Sequence, residues 1–514
     1  MNDGPFELPA RWRWATFSEV ARVAADLVDP TLTPDTPHIA PNHIESWTGA
    51  LLPYKTIRED GMTSAKHRFH KGQILYSKIR PYLAKAALAS FDGLCSADMY
   101  PIETDLDPSF LLRWMLTPTF TNEASGAQGR TVLPKINRDA LGRLRVPVAP
   151  LNEQRRIVAK LDAIFEQTRA AKTRLERLPA LLDKLKRSIL AAAFSGDLTA
   201  DWRHAHPNVE PASVLLDRIR ADRRARWEAA VRAKGKDPSK AKHDEPSSLD
   251  EADLRELPPT WAWSPAGSVL ESIEAGRSPK AHGRPANADE FGVLKVSAVT
   301  WGRFLPLENK ALVAGDVAEP ELLVRRGDLL ITRANTVELV GAVVLVEDDY
   351  PNLMLSDKTL RLVPVATIDR AFLLYALRTA DVRRVFEDDA TGTSDSMRNI
   401  TQDKIRAAPI ALAPVDEQRE IARRLDESFA ALDALRERVD HGALRASDLE
   451  RAALAKAFRG ELVDQDPADE PAAALLERIR TAAEHAATTN GTKPTRAAKR
   501  TRAKARATTA ESET

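Results

Sequence analysis

The chain repeats itself, and that repeat restricts the possible architectures more than any other feature. Leu8-Pro-Ala-Arg-Trp-Arg-Trp14 returns as Leu257-Pro-Pro-Thr-Trp-Ala-Trp263, 249 residues later. Pro150-Leu-Asn-Glu-Gln-Arg-Arg-Ile157 returns as Pro414-Val-Asp-Glu-Gln-Arg-Glu-Ile421, and Ala193-Phe-Ser-Gly-Asp-Leu198 as Ala457-Phe-Arg-Gly-Glu-Leu462, both at an offset of 264. Pro211-Ala-Ser-Val-Leu-Leu-Asp-Arg-Ile-Arg220 returns as Pro471-Ala-Ala-Ala-Leu-Leu-Glu-Arg-Ile-Arg480 at 260. The four blocks keep their order. The chain is therefore a tandem duplication of a unit of about 220 residues.

The offsets separate each copy into two parts. Between the tryptophan block and the Glu-Gln-Arg block the second copy gains 15 residues, whereas the stretch from Glu-Gln-Arg to Phe-x-Gly does not change length. A segment that tolerates insertion reads as a domain with loops, and one of fixed length as a rigid spacer. The spacer has a helical pattern. Ile157, Leu161, Ile164, Thr168, Ala171, Leu175, Leu178, Leu182, Leu185, Ile189 and Ala192 alternate by four and three, as a coiled-coil seam does. Ile421, Leu425, Ser428, Leu432, Leu435, Val439, Ala446, Leu449 and Ala453 continue the same pattern in the second copy. An unbroken helix from Glu153 to Ser195 would be roughly 65 Å long. Pro179 and the equivalent His441-Gly442 predict a kink or break in each helix. Two separate helical hairpins, each packed on its own domain, are the alternative; the matched lengths favour the two helices pairing with each other.

The variable parts read as mixed α/β. Residues 8–21 and 257–270 alternate like strands entering a sheet, and Gly72–Arg80 and Gly327–Arg333 each run from a turn glycine into apolar strand residues. Gly341–Val346 and Lys358–Val363 extend the β pattern, and Phe110–Leu116 and Phe372–Arg378 predict one helix per domain. Residues 221–256 begin as an Arg-rich helix and end in a polar linker. Residues 486–514 are Ala/Thr-rich and basic, which predicts disorder.

Catalytic signatures are missing from the sequence. No G-x-x-x-x-G-K-[ST] loop, strand–G-x-G-x-x-G–helix unit, Asn/Asp-Pro-Pro-aromatic tetrapeptide or H-E-x-x-H helix occurs. The pairs His67/His70 and His204/His206 read as solvated structural residues. Cys95, the single cysteine, excludes an intrachain disulfide and reads as a small, half-buried side chain. The first ten residues lack the features of a signal peptide and no run of 18 apolar residues appears, so a cytoplasmic protein is expected.

Lys plus Arg number 75 against 74 Asp plus Glu, a net charge of +1 that by itself argues against a nucleic-acid clamp. The distribution argues the other way. Residues 60–85 carry Lys66, Arg68, Lys71, Lys78, Arg80 and Lys85 against Asp60 alone. Gly126-Ala-Gln-Gly-Arg130 leads through Lys135 and Arg138 to Arg143 and Arg145, and the second copy has a hydroxyl-rich loop, Thr391–Ile400, with Arg398. Short polar loops with cations suit phosphate contacts and groove readout. Lys78, Arg80, Arg130, Lys135, Arg333, Lys358 and Arg398 are the candidate DNA-binding residues, chosen by charge and position. Of the pairs Trp12/Trp14 and Trp261/Trp263, which offer stacking platforms, at least one member each is expected in the core.

Taken in order, these blocks resemble the specificity (S) subunit of type I restriction–modification systems, from Leu8 to Arg480. The resemblance rests on Pro-Leu-Asn-Glu-Gln-Arg and Pro-Val-Asp-Glu-Gln-Arg opening two helices. Phe-Ser-Gly-Asp-Leu and Phe-Arg-Gly-Glu-Leu close them, and Leu-Pro-x-x-Trp-x-Trp opens both domains. It implies an α+β fold: two mixed α/β target recognition domains, 1–148 and 257–412, related by a pseudo-twofold. The conserved spacer regions 149–220 and 413–485 would pair as an antiparallel coiled coil, with the basic linker 221–256 and tail 486–514 outside them. It further implies recognition of a bipartite double-stranded DNA target and a chain without a reaction or cofactor of its own. Two modification subunits would carry S-adenosylmethionine and methylate adenine N6. Two restriction subunits would carry the ATP- and Mg-dependent motor and nuclease. Gly72-Gln73 in place of the more usual Gly327-Asp328 pairing, and the altered loop at 126–130, are departures confined to the variable domains. A fused methyltransferase or nuclease, and a coiled-coil adaptor that never touches DNA, are the competing readings.

Overall fold

The computed structural model describes residues 4–126, 134–243, 249, 254–313, 315–316, 318–388 and 398–490. The chain divides into two compact units, Met1–Glu176 with Asp440–Thr514, and Arg177–Val439. Both contain a strand pair that closes the variable segment and a four-stranded sheet of matching strand order; the first adds a five-stranded sheet, the second a four-stranded and a two-stranded one.

In the first unit Arg13–Thr16 pairs antiparallel with Arg145–Val148, bringing the two ends of the variable segment together. A four-stranded antiparallel sheet follows, in the order Ala21–Val23, Met99–Thr104, Ile74–Ser77, Ala86–Leu88. The strands of a five-stranded sheet, which contains Lys66–Phe69, Gly93–Cys95 and Pro37–Ile39, interleave with these along the chain. The second unit repeats the plan. Ala262–Pro265 pairs with Pro409–Leu412, and a four-stranded sheet runs Leu270–Ala275, Thr359–Pro364, Leu329–Thr332, Val343–Leu345. Helices Pro108–Met115 and Arg370–Ala376 occur where the apolar runs predict them, and each is capped by an aspartate, Asp107 or Asp369, whose side chain accepts from first-turn amides. Gly72 and Gly327, with φ of 90° and 84°, make the left-handed turns that start the central strands.

The repeated blocks are docking devices. Trp12 and Trp261 are buried, and their indole N–H groups donate to Glu153 Oε2 (3.1 Å) and Glu417 Oε2 (2.8 Å). Gln154 and Gln418, both fully buried, accept from the amides of Asp107 (2.9 Å) and Asp369 (3.1 Å) and donate to the carbonyls of Ala149 and Ala413 (2.8 Å each). The Glu-Gln dipeptide thus ties the start of each long helix to its domain. In the Phe-x-Gly blocks, Gly196 and Gly460 adopt φ of 89° and 73°. A Cβ there would meet Pro258 or Pro9 of the Leu-Pro block at 2.4 or 2.3 Å, so only glycine admits that proline.

The partner of each closing block is the domain of the other copy. Phe458 stands 5.2 Å from Phe110 and 5.1 Å from Trp114 between ring centroids, and shares a core with Trp12, Ala457, Ala472 and Leu475. Phe194 stands 5.3 Å from Phe372, in a core with Trp261, Leu215 and Ile219. Ala472 donates to Arg11 O and Ala212 to Thr260 O, so the Pro-Ala helices Ala472–Asn490 and Ala212–Ala233 follow the same rule.

The long helices pair antiparallel inside each unit. In the first, Thr168 Oγ1 and Lys172 Nζ donate to Glu450 (2.5 and 2.7 Å) and Leu175 lies against Gly442. In the second, Asp183 pairs with Arg436 (2.9 Å) and Lys186 with Asp433 (3.5 Å). Only one of the two expected breaks exists. The first helix ends at Leu175 and a second runs Leu178–Ser195, with Pro179 in its first turn where its missing N–H costs nothing. Val415–Phe458 is one helix of 44 residues, straight through Gly442, because glycine keeps the N–H that proline lacks. Several seam positions are not buried: Leu185, Leu435 and Leu449 are about half exposed, as are Leu181 and Leu444 nearby.

Candidate nucleic-acid interface

In the first unit the strand Ile74–Ser77 runs out into a loop held by three backbone bonds. Lys78 N–H donates to Asp98 O (3.0 Å), Ile136 N–H to Lys78 O (2.9 Å) and Arg80 N–H to Pro134 O (2.8 Å). Arg80 (φ 47°) and Ala84 (φ 46°) are both left-handed without being glycine, a strained geometry that surrounding bonds must enforce. Between them the turn Pro81–Leu83 projects Tyr82, half exposed. Lys135 Nζ lies 3.0 Å from Asp98 Oδ1, and Lys78 Nζ and the Arg138 guanidinium lie 5.4 and 5.9 Å from the Tyr100 ring centroid. Lys78, Arg80 and Lys135, far apart in sequence, therefore share one junction. His67 is buried, and its imidazole is held below the usual range first by burial and then by the charges of Lys78 and Arg138.

The second unit builds the same junction. Arg333 N–H donates to Lys358 O (2.9 Å) and Ile400 N–H to Arg333 O (2.8 Å), and Ala334 and Asn335 pair with Asn399 and Arg398. The loop beyond is braced by Arg383, whose guanidinium donates to the carbonyls of Val340 and Val337, and by Trp301, whose indole N–H donates to Glu338 O (2.6 Å). Lys358 borders a groove of about 530 Å³ whose lining includes Ser278, Lys295, Lys310 and Ser356. Arg333, Lys358 and Arg398 are thus brought together as well. Arg130, and all of residues 127–133 and 389–397, lie outside the described residues.

Some sequence expectations are corrected. Lys66 is buried and donates to Ser64, and Lys85 donates to Pro41 O, so both serve the fold and not a surface. His67 is buried rather than solvated, because it sits in a strand opposite Cys95. Cys95 is fully buried, not half-buried, and burial pushes its thiol up to about 12. As expected for at least one tryptophan of each pair, Trp12 and Trp261 belong to the core, where they hold the long helices. Asp98, Tyr100, Tyr82, Lys295 and Lys310 were not singled out from sequence; no motif marks them, and only the strand register brings them to the junction. Among the described residues no three His, Cys, Asp or Glu side chains converge as metal ligands, and no helix is long and apolar enough to cross a membrane.

Residues 31–180 match the family described as "Type I restriction modification DNA specificity domain". The chain is 50% identical over 222 residues to the type I restriction enzyme EcoDI specificity subunit of Escherichia coli, which is 42% of this chain and 50% of that one. It is 27% identical over 505 residues to the EcoEI specificity subunit of E. coli, covering 85% of this chain and 81% of the relative. The chain is thus similar to type I specificity subunits, over residues 31–180 by family model and over most of its length by the more distant relative. Its alignment with the EcoDI subunit spans half of that relative's length. Two solved structures share the fold of this chain. The HsdS subunit from Thermoanaerobacter tengcongensis has a TM-score of 0.57 at 23% identity, covering 90% of this chain and all of that one. A chain from a structural study of complex assembly and conformational transition in the type I R-M system has a TM-score of 0.60 at 22% identity, covering 89% and 100%.

Proposed function

We propose that this chain is a type I specificity subunit, which reads a bipartite double-stranded DNA target, one half with each unit, and scaffolds the catalytic subunits of a type I restriction–modification complex. The observation that carries the reading is the duplicated junction: two domains of one topology each end a central strand on a cation, Lys78 or Arg333, held by the same two backbone bonds. Lys78, Arg80, Lys135, Arg333, Lys358 and Arg398, with Arg130, are the DNA-facing cations in this reading. Paired helices between two readers would set the spacing of half-sites about one helical turn apart. The half-exposed Leu181, Leu185, Leu435, Leu444 and Leu449 on those helices offer apolar surface for two modification subunits, which two restriction subunits would join. S-adenosylmethionine, ATP and Mg belong to those partners, and this chain supplies neither methyl transfer nor cleavage. The complex would act in the cytoplasm.

Selection from a duplex library with two randomised segments, at stated salt and with competitor DNA, tests this. The expected result is a split motif bound with a steep negative salt dependence. Binding without sequence preference, or no binding at all, would reject the reading in favour of an adaptor; methylation by the purified chain alone would favour a fused enzyme.

A further inference from the structure

The two junctions keep one backbone and permute their charges. Three positions correspond through identical hydrogen bonds. The first is the strand-end residue, Lys78 or Arg333. The second is the residue whose carbonyl it bonds, Asp98 or Lys358. The third precedes the isoleucine that bonds back to it, Lys135 before Ile136 or Asn399 before Ile400. The first position is cationic in both units. The second reverses sign, from Asp98 to Lys358, and the third changes from a cation to an amide. In the first unit Asp98 and Lys135 form a pair 3.0 Å apart, each about half exposed. In the second, Lys358 stands exposed at the groove that Lys310 and Ser356 also line.

We infer that the second and third positions, Asp98 with Lys135 and Lys358 with Asn399, determine the base preference of each half-site, while Lys78 and Arg333 position the backbone. The inference rests on the reading of the chain as a DNA reader and names the residues that discriminate within it. The chemistry follows from the edges of the major groove. A carboxylate beside an ammonium offers an acceptor next to a donor, which suits an edge presenting an amino group beside an acceptor, as adenine N6 and N7 or a cytosine N4 next to guanine O6 do. A lysine beside an asparagine has no obligate acceptor and suits the two acceptors of guanine, N7 and O6, with the amide available to a neighbouring adenine. Because both sets sit on the same hydrogen-bonded strand ends, a side-chain change there alters the recognised pattern without moving the backbone.

The test compares full-length D98N, D98K and K358D with the unaltered chain in the two-segment library selection. Thermal unfolding identifies any variant that fails to fold; D98N keeps the shape of Asp98 and carries the test for the first unit if D98K fails. The expected outcome is a shift of roughly ten- to a hundredfold at one or two base positions in one half of the motif, with the other half unchanged. The half affected by D98N or D98K should be the one K358D leaves alone. Unchanged base preference, a uniform loss across all sequences, or a shift in both halves for either variant would overturn the inference. If the unaltered chain itself selects no sequence, the DNA-reading function fails, and with it this assignment.

Discussion

Two glutamates in equivalent blocks meet different surroundings. Glu417 is fully buried and satisfied by Trp261, by Thr199 Oγ1 at 2.7 Å and by Arg203 at 2.5 Å. Glu153 is equally buried, but its Oε1 has no partner among the described residues, and Trp12 alone holds Oε2. Removing Arg203 leaves Glu417 buried without a counter-ion, with only Trp261 and Thr199 to bond it, so R203A should lower the unfolding free energy by about 3 kcal/mol, read by urea denaturation. A loss below about 1 kcal/mol would show that the pair behaves as a surface pair. Burial raises the Glu153 carboxyl above the ordinary glutamate value of 4.5. With the native state binding the proton more tightly than the unfolded chain, stability is fullest below that value and falls as pH rises through the raised one. E153Q cannot ionise, so its melting-temperature advantage over the unaltered chain should grow from pH 4 toward neutrality. A constant difference across that range would contradict the assignment. The Glu-Gln-Arg motif was legible in sequence, but which of its copies is fully paired was not. That depends on Thr199 and Arg203 arriving from a distant turn.

The spacer helices show the same division between local and long-range information. The periodicity of apolar residues and Pro179 predicted both helices and one break correctly, because helix period and a missing N–H act within a few residues. Gly442 was misread for a related reason. It marks a close approach, since a Cβ there would come 3.2 Å from Leu175 Cδ1, and it leaves the helix whole. The seam pattern overstated burial, as half-exposed Leu185, Leu435 and Leu449 show; an a/d position is buried only where a partner covers it. If the helices act as a ruler, inserting four residues into each at facing positions adds about 6 Å, slightly more than one turn, so the apolar faces stay roughly aligned. Methylation profiling of cells carrying the reconstituted system should then show a longer gap with both half-sites unchanged. An unaltered gap would disprove the ruler.

At the scale of the whole molecule, each compact unit is completed by the other copy's closing block. F458A should therefore destabilise the unit containing the first domain and F194A the unit containing the second, each by about 3–5 kcal/mol. Hydrogen exchange on the full chain separates the two: F458A should lower protection in Pro108–Met115 while Arg370–Ala376 keeps its own, and F194A should do the reverse. Loss of protection in the domain next along the chain, Arg370–Ala376 for F458A, would mean the blocks pack within their own copies. The net charge of +1 hides the local distribution, since Lys78, Arg80 and Lys135 meet at one strand end and Arg333, Lys358 and Arg398 at another, while others, such as Lys66, are consumed by the fold. The duplication, the order of the repeated blocks, the helical period of the spacers and the turn glycines Gly72 and Gly327 could all be read from the amino-acid sequence, because each is written in spacing and side-chain type over short stretches. Tertiary structure alone decided which copy's Phe-x-Gly block fills which core and which distant cations share a junction. The two copies present nearly identical docking surfaces, so local chemistry cannot tell own from other; antiparallel pairing of the long helices makes that choice.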